Sequence, residues 1–139
     1  MKTIVVSAVS IVLVSILSCP MLMAAPPMPD GLQIVQPDPS LPKELSAFFG
    51  KWEGAGMISV FLIVEKIDEE KASIYLYRGP GGSPDLPTGW MQYEALVSKD
   101  RGKYKLSYPD RFGQVELTLK GESLNYDSRM MGIRLKRVQ

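Results

Sequence analysis

Lys103-Tyr104-Lys105-Leu106-Ser107-Tyr108 alternates without a slip: Tyr104, Leu106 and Tyr108 fall on one parity, Lys103, Lys105 and Ser107 on the other. A period of two is what a strand with one dry face and one wet face requires. The pattern recurs toward the C-terminus. Val115, Leu117 and Leu119 oppose Gln114, Glu116 and Thr118, and Leu124 and Tyr126 oppose Ser123, Asn125 and Asp127. Met131, Ile133 and Leu135 then oppose Met130, Gly132, Arg134 and Lys136, and Met130-Met131 reads as ordinary strand packing. The connections 98–102, 109–111 and 120–122 are short and polar, as hairpin turns are.

Upstream, further strands are predicted at 51–57, 58–67, 72–78 and 90–97, the last with Met91, Tyr93, Ala95 and Val97 on one parity. Gly54 and Gly56 in the first suit a bend or a close backbone approach. The charged turn Asp68-Glu69-Glu70-Lys71 closes the second. Ahead of them, Leu45, Phe48 and Phe49 stand at helical spacing over 43–49, enough for one helical turn plugging a barrel bottom, which Gly50 ends. No segment after Phe49 has helical periodicity. About eight short strands in meander order with one dry face predict an all-β fold. Closure into an eight-stranded antiparallel up-and-down barrel removes the exposed edges.

Composition narrows the chemistry. There is no histidine, and the one cysteine, Cys19, lies in the N-terminal leader. Ser-His-Asp catalysis, imidazole bases and typical zinc sites are therefore excluded, as is a thiol nucleophile or disulfide in the folded part. No metal or cofactor is expected, and the protein is read as a non-enzyme. The chain carries 16 basic and 15 acidic residues, so loss of Lys2 with the leader leaves it formally neutral. Nothing offers the basic excess that a nucleic-acid backbone demands.

Lys2 followed by the apolar stretch 4–17 reads as an export signal, too short for a comfortable membrane span. Two processing routes stay open. Cleavage after Ala24 removes 1–24 and releases a soluble periplasmic product. Alternatively Ile16-Leu17-Ser18-Cys19 acts as a lipobox-like tetrad, 1–18 is removed, and lipidated Cys19 anchors the protein to the membrane. Residues 25–42 hold Pro26, Pro27, Pro29, Pro37, Pro39 and Pro42 and read as a semi-rigid tether, with Leu32, Ile34 and Val35 able to dock on a wall. The barrel is assigned to 43–139.

Gly50-Lys51-Trp52-Glu53-Gly54, Val64-Glu65-Lys66-Ile67 and Tyr77-Arg78-Gly79 together resemble the recurring words of a lipocalin-like (calycin) domain of exported bacterial proteins. The resemblance covers the barrel region and implies a basic residue at the end of the last strand, stacked over the first-strand Trp52. Arg137, on the parity of Ile133 and Leu135, is the candidate, with Arg134 second. It makes Gly50, Trp52 and Arg137 a structural signature. A shorter chain than typical lipocalins implies a smaller interior.

The barrel implies a small apolar or lipid-like ligand in the mouth, with Tyr77, Trp90, Tyr93, Tyr104, Leu106, Tyr108, Val115, Leu117 and Tyr126 as lining. The alternative is a protein-binding or inhibitor module: a filled barrel whose segment 25–42 enters a partner's cleft as a trunk, or whose apolar rim around Leu86 and Trp90 meets it. The glycine-rich loop 79–89 is either a rim over the mouth or a plain crossover. Glu53 and Glu65, on neighbouring strands, are a carboxylate pair only if burial brings them together, and otherwise are surface charges beside Lys51 and Lys66.

Overall fold

The computed structural model describes residues 25–81, 84, 85 and 87–139. The predicted leader 1–24 with Cys19, and Leu86, lie outside the described residues. One helical turn, α1 (Lys43–Ser46), precedes eight strands: β1 (Gly50–Ala55), β2 (Ser59–Ile67), β3 (Lys71–Arg78), β4 (Gly89–Asp100), β5 (Lys103–Asp110), β6 (Gly113–Lys120), β7 (Ser123–Asp127) and β8 (Gly132–Val138). They close in sequence order into an antiparallel barrel, β8 returning to β1.

The turns follow from local chemistry. Asp68 accepts the Glu70 and Lys71 amides on Oδ1, which folds β2 back onto β3. Arg101 and Gly102 both have positive φ, 49° and 81°, which suits the tight hairpin between Asp100 and Lys103. β4 thus runs three residues past its predicted end at Val97. At the β1–β8 seam a Cβ on Gly54 would stand 2.8 Å from the Arg134 carbonyl oxygen, so only glycine lets the two strands cross this closely.

Alternate residues fill the interior. Trp52, Val60, Leu62, Ile74, Leu76, Leu106, Val115, Leu117, Leu124 and Leu135 form one core with Leu45 and Phe48 of the plug. The α1 end is closed; the opposite end, ringed by the β1–β2, β3–β4, β5–β6 and β7–β8 connections, is the mouth. Met130 sits exposed on a mouth turn instead of packing in a strand, and Met57 is exposed on the β1–β2 turn.

β2 and β3 depart from simple alternation: Ile63, Glu65 and Tyr75 are buried although they lie on the outer face. Residues 25–42 are not a free tether but a strap against this wall. Glu65 holds it, accepting the Val35 amide on its backbone oxygen and the Gln33 amide on Oε2. The Trp90 indole donates to the Pro27 carbonyl at 2.7 Å. Proline removes amides that would otherwise need partners there, so few hydrogen bonds suffice. Leu32 is half-buried, whereas Ile34 and Val35 are exposed.

Candidate ligand site at the barrel mouth

Parity along β3 carries Ile74, Leu76 and Arg78 to the inside. Arg78 is therefore a cation within the barrel, 2% exposed, one layer below the mouth. Its Nη2 donates to Asp110 Oδ2 at 2.8 Å and to the Tyr126 hydroxyl at 3.1 Å. The Asp110 side chain is as buried as that of Arg78, and its Oδ1 accepts the Phe112 amide in the turn to β6. Nε and Nη1 of Arg78 make no hydrogen bond of good geometry, although the Tyr93 hydroxyl lies near enough to act on the guanidinium, and the hydroxyl of Tyr108, 1% exposed, approaches Tyr126 without a well-formed bond. Tyr93 stacks on Tyr108 with ring centroids 4.6 Å apart.

Protonation states follow from burial and neighbours. Burial opposes the Arg78 charge, but hydrogen bonds to Tyr126 and Asp110 outweigh it and hold its pKa above the usual value. Burial, reinforced by the neighbouring Tyr126, pushes the Tyr108 phenol well above the ordinary tyrosine range. Burial also raises Tyr93. At neutral pH Arg78 therefore keeps its charge and Tyr93 and Tyr108 keep their protons, with Asp110 as the ion-pair partner of Arg78 at 2.8 Å.

The wall beside this cluster is incomplete. The β4–β5 ladder runs only from Leu96 opposite Ser107 to Asp100 opposite Lys103. Residues 89–95 of β4 pair with β3 alone, and residues 108–110 of β5 pair with β6 alone. Pro109, which has no amide to donate, lies in the unpaired stretch. The Tyr93–Tyr108 stack bridges the gap, and Arg111 reaches across to the Asp85 carbonyl at 2.8 Å.

The predicted lining divides accordingly. Tyr93, Tyr108 and Tyr126 belong to the mouth cluster. Leu106, Val115 and Leu117 face inward but are packed core with no exposure. Tyr104 also faces inward, far down the barrel opposite Lys99, whose Nζ lies 4.7 Å from its ring centroid. Tyr77 and Trp90 do not line the interior: strand register stacks Phe61, Tyr77 and Trp90 across the outer wall, with centroids 6.0 and 5.3 Å apart. Tyr77 alternates with the inward Leu76 and Arg78, and Trp90 has the opposite parity to the inward Tyr93 and Ala95. Glu53 and Glu65 do not form a pair. Glu53 is exposed opposite Phe61, while Glu65 sits at a β-bulge under the strap and accepts the Ser73 hydroxyl at 2.8 Å.

Arg78 and Asp110 were missed as site residues. The signal was present, because Arg78 continues the apolar parity of Ile74 and Leu76. Asp110 continues that of Leu106 and Tyr108 in the same way, but Arg78 reads as a strand end and Asp110 as part of the hairpin turn 109–111.

At the closed end, the Arg137 guanidinium lies 4.2 Å from the Trp52 ring centroid. It donates to the Ala47 and Phe49 carbonyls at 2.6 and 2.7 Å, while the Trp52 indole donates to the Phe48 carbonyl. Arg134 is exposed and takes no part. A groove of about 630 Å³ opens here between Ala47, Leu119, Ser123 and Lys136, with the whole packed core between it and the mouth cluster. Comparison of the chain with protein-family models, with curated proteins and with solved structures finds no match.

Proposed function

We propose that the chain is an exported, non-enzymatic binding protein of lipocalin-like type that takes one small ligand at the barrel mouth, with the ligand's polar group on Arg78 and Tyr108. The observation that carries this reading is the half-satisfied Arg78. Burying an ion pair costs several kcal/mol per ion in desolvation, and well-packed apolar residues of similar volume often do as well or better. A barrel selected for stability alone gains nothing from leaving Nε and Nη1 without well-formed hydrogen bonds. Departures from locally consistent design concentrate at functional sites. The packed core below Tyr108 limits the ligand to a shallow seat, so its apolar part lies along the β4–β5 gap and the mouth, not deep in the barrel.

Native mass spectrometry of the mature protein, purified from its own host without detergent, tests the proposal. The expected result is a mass excess that is lost on denaturation and extracts into organic solvent. A bare mass, with no ligand-induced shift of the mouth tyrosines in NMR spectra, overturns it.

The protein-binding reading draws on a different observation. Met57, 78% exposed, and Met130, 52% exposed, project from neighbouring mouth turns and give an adaptable apolar rim. A trunk-like use of residues 25–42 would first require the strap to leave Glu65 and Trp90.

A further inference from the structure

The charge count of the mouth cluster specifies the chemistry of the ligand's polar group. Resting on the mouth-site reading above, we infer that the site takes an uncharged hydrogen-bond acceptor, such as an ester, ketone or hydroxyl oxygen on a short apolar body, and discriminates against carboxylates.

Arg78 already has its counter-ion. Asp110 lies 2.8 Å away with both carboxylate oxygens engaged, one by Arg78 and one by the Phe112 amide. The pair is neutral, and among the described residues no other charged side chain joins it. An arriving carboxylate would place a second anion beside Asp110 in a site with little water, where like charges repel strongly. A neutral oxygen brings no such charge and still meets what the site lacks. Arg78 offers only donors, and Nε and Nη1 are the ones left over, flanked by the Tyr108 hydroxyl. The surplus is of donors, so the missing partner is an acceptor.

The phenols do not alter the sum. Tyr108 and Tyr93 are both raised by burial and keep their protons at neutral pH. Their stacked rings, at the gap between β4 and β5, present an apolar flank for the body of the ligand. A small acceptor-bearing apolar molecule satisfies the donors without disturbing the Arg78–Asp110 pair.

The test compares octanol, methyl octanoate and octanoate on the full mature protein, reading the Arg78 Nε–Hε NMR resonance. At about pH 7.5 octanoate is ionised, since carboxyl groups titrate near pH 4. The expected result is that octanol and methyl octanoate shift the resonance at concentrations about tenfold or more below octanoate. Lowering the pH toward 4 narrows the difference, because the acid becomes neutral. Asp110→Asn leaves Arg78 without a counter-ion and is expected to reverse the preference. Where that variant fails to fold, the wild-type comparison and its pH dependence decide alone. Octanoate binding as tightly as the neutral probes at pH 7.5 overturns the charge argument and leaves the mouth site standing. If none of the three moves the resonance, the mouth-site reading falls and takes this inference with it.

Discussion

At the scale of single residues, two arginines hold the two ends of the barrel by different means. Arg137 lies over the Trp52 face and its nitrogens are bonded to carbonyls of the plug, so its contacts are satisfied. Gly50 belongs to the same assembly. Its φ is +116°, and a Cβ there would meet Arg137 Nη1 at 2.9 Å. Gly50→Ala therefore costs twice, in backbone strain and in a displaced guanidinium. A loss of about 1–3 kcal/mol is expected in urea unfolding, together with a Trp52 fluorescence change that a surface glycine substitution would not give. Arg78, by contrast, is buried and incompletely bonded. Asp110→Asn strands that charge and is expected to cost about 3–5 kcal/mol, whereas Arg78→Met with Asp110→Leu is expected to be neutral or stabilising. A loss in the double variant as large as that in Asp110→Asn would show that the pair is an ordinary stabilising bridge.

At the scale of elements, the strands were legible where one face is wet. β5 to β8 alternate because their outer residues meet solvent, and a period of two survives in the sequence. β2 reads as a nearly continuous apolar run because the strap covers its outer face, and that cover was not legible. Its anchors are a carboxylate, a backbone carbonyl and an indole, acting on backbone groups that leave no side-chain pattern in 25–42. Proline density speaks of stiffness, not of where a stiff segment lies. Tyr77 was misplaced for a related reason: β3 is apolar on both faces, so composition could not fix which face is inside, whereas the pairing of Leu76 with Leu62 and Met91, and of Tyr77 with Phe61 and Trp90, does. The strap makes a prediction of its own. Glu65→Ala removes the acceptor of the Gln33 amide and the partner of the Ser73 hydroxyl. Amide exchange at Gln33 and Val35 is expected to speed by about tenfold or more, as a local opening easier by roughly 1–2 kcal/mol allows. Amides in β5 to β8 should not change; acceleration throughout the barrel would mean the strap is part of the cooperative core.

At the scale of the whole molecule, the barrel is closed in topology but uneven in wall. Its seam between β4 and β5 is carried at the mouth end by two stacked tyrosines in place of a ladder, and this couples fold stability to alkaline pH. In the unfolded chain a tyrosine gives up its proton near pH 10. In the fold, burial holds Tyr108 protonated well beyond that, and Tyr93 is raised in the same sense. Above about pH 10 the native state thus binds more protons than the unfolded chain, and stability falls as pH rises, by about 1.4 kcal/mol per pH unit for Tyr108. Below pH 10 both states are protonated and this contribution is fully present. Urea midpoints measured from neutral pH to about pH 11.5 should fall steeply above 10 for the wild type. Tyr108→Phe, which also removes a hydroxyl without a well-formed bond, should match or exceed wild-type stability at neutral pH and show a slope shallower by about one proton. Parallel slopes in the two proteins would mean that Tyr108 opens to solvent before the barrel unfolds. The β4–β5 gap would then be the first part of the wall to give way.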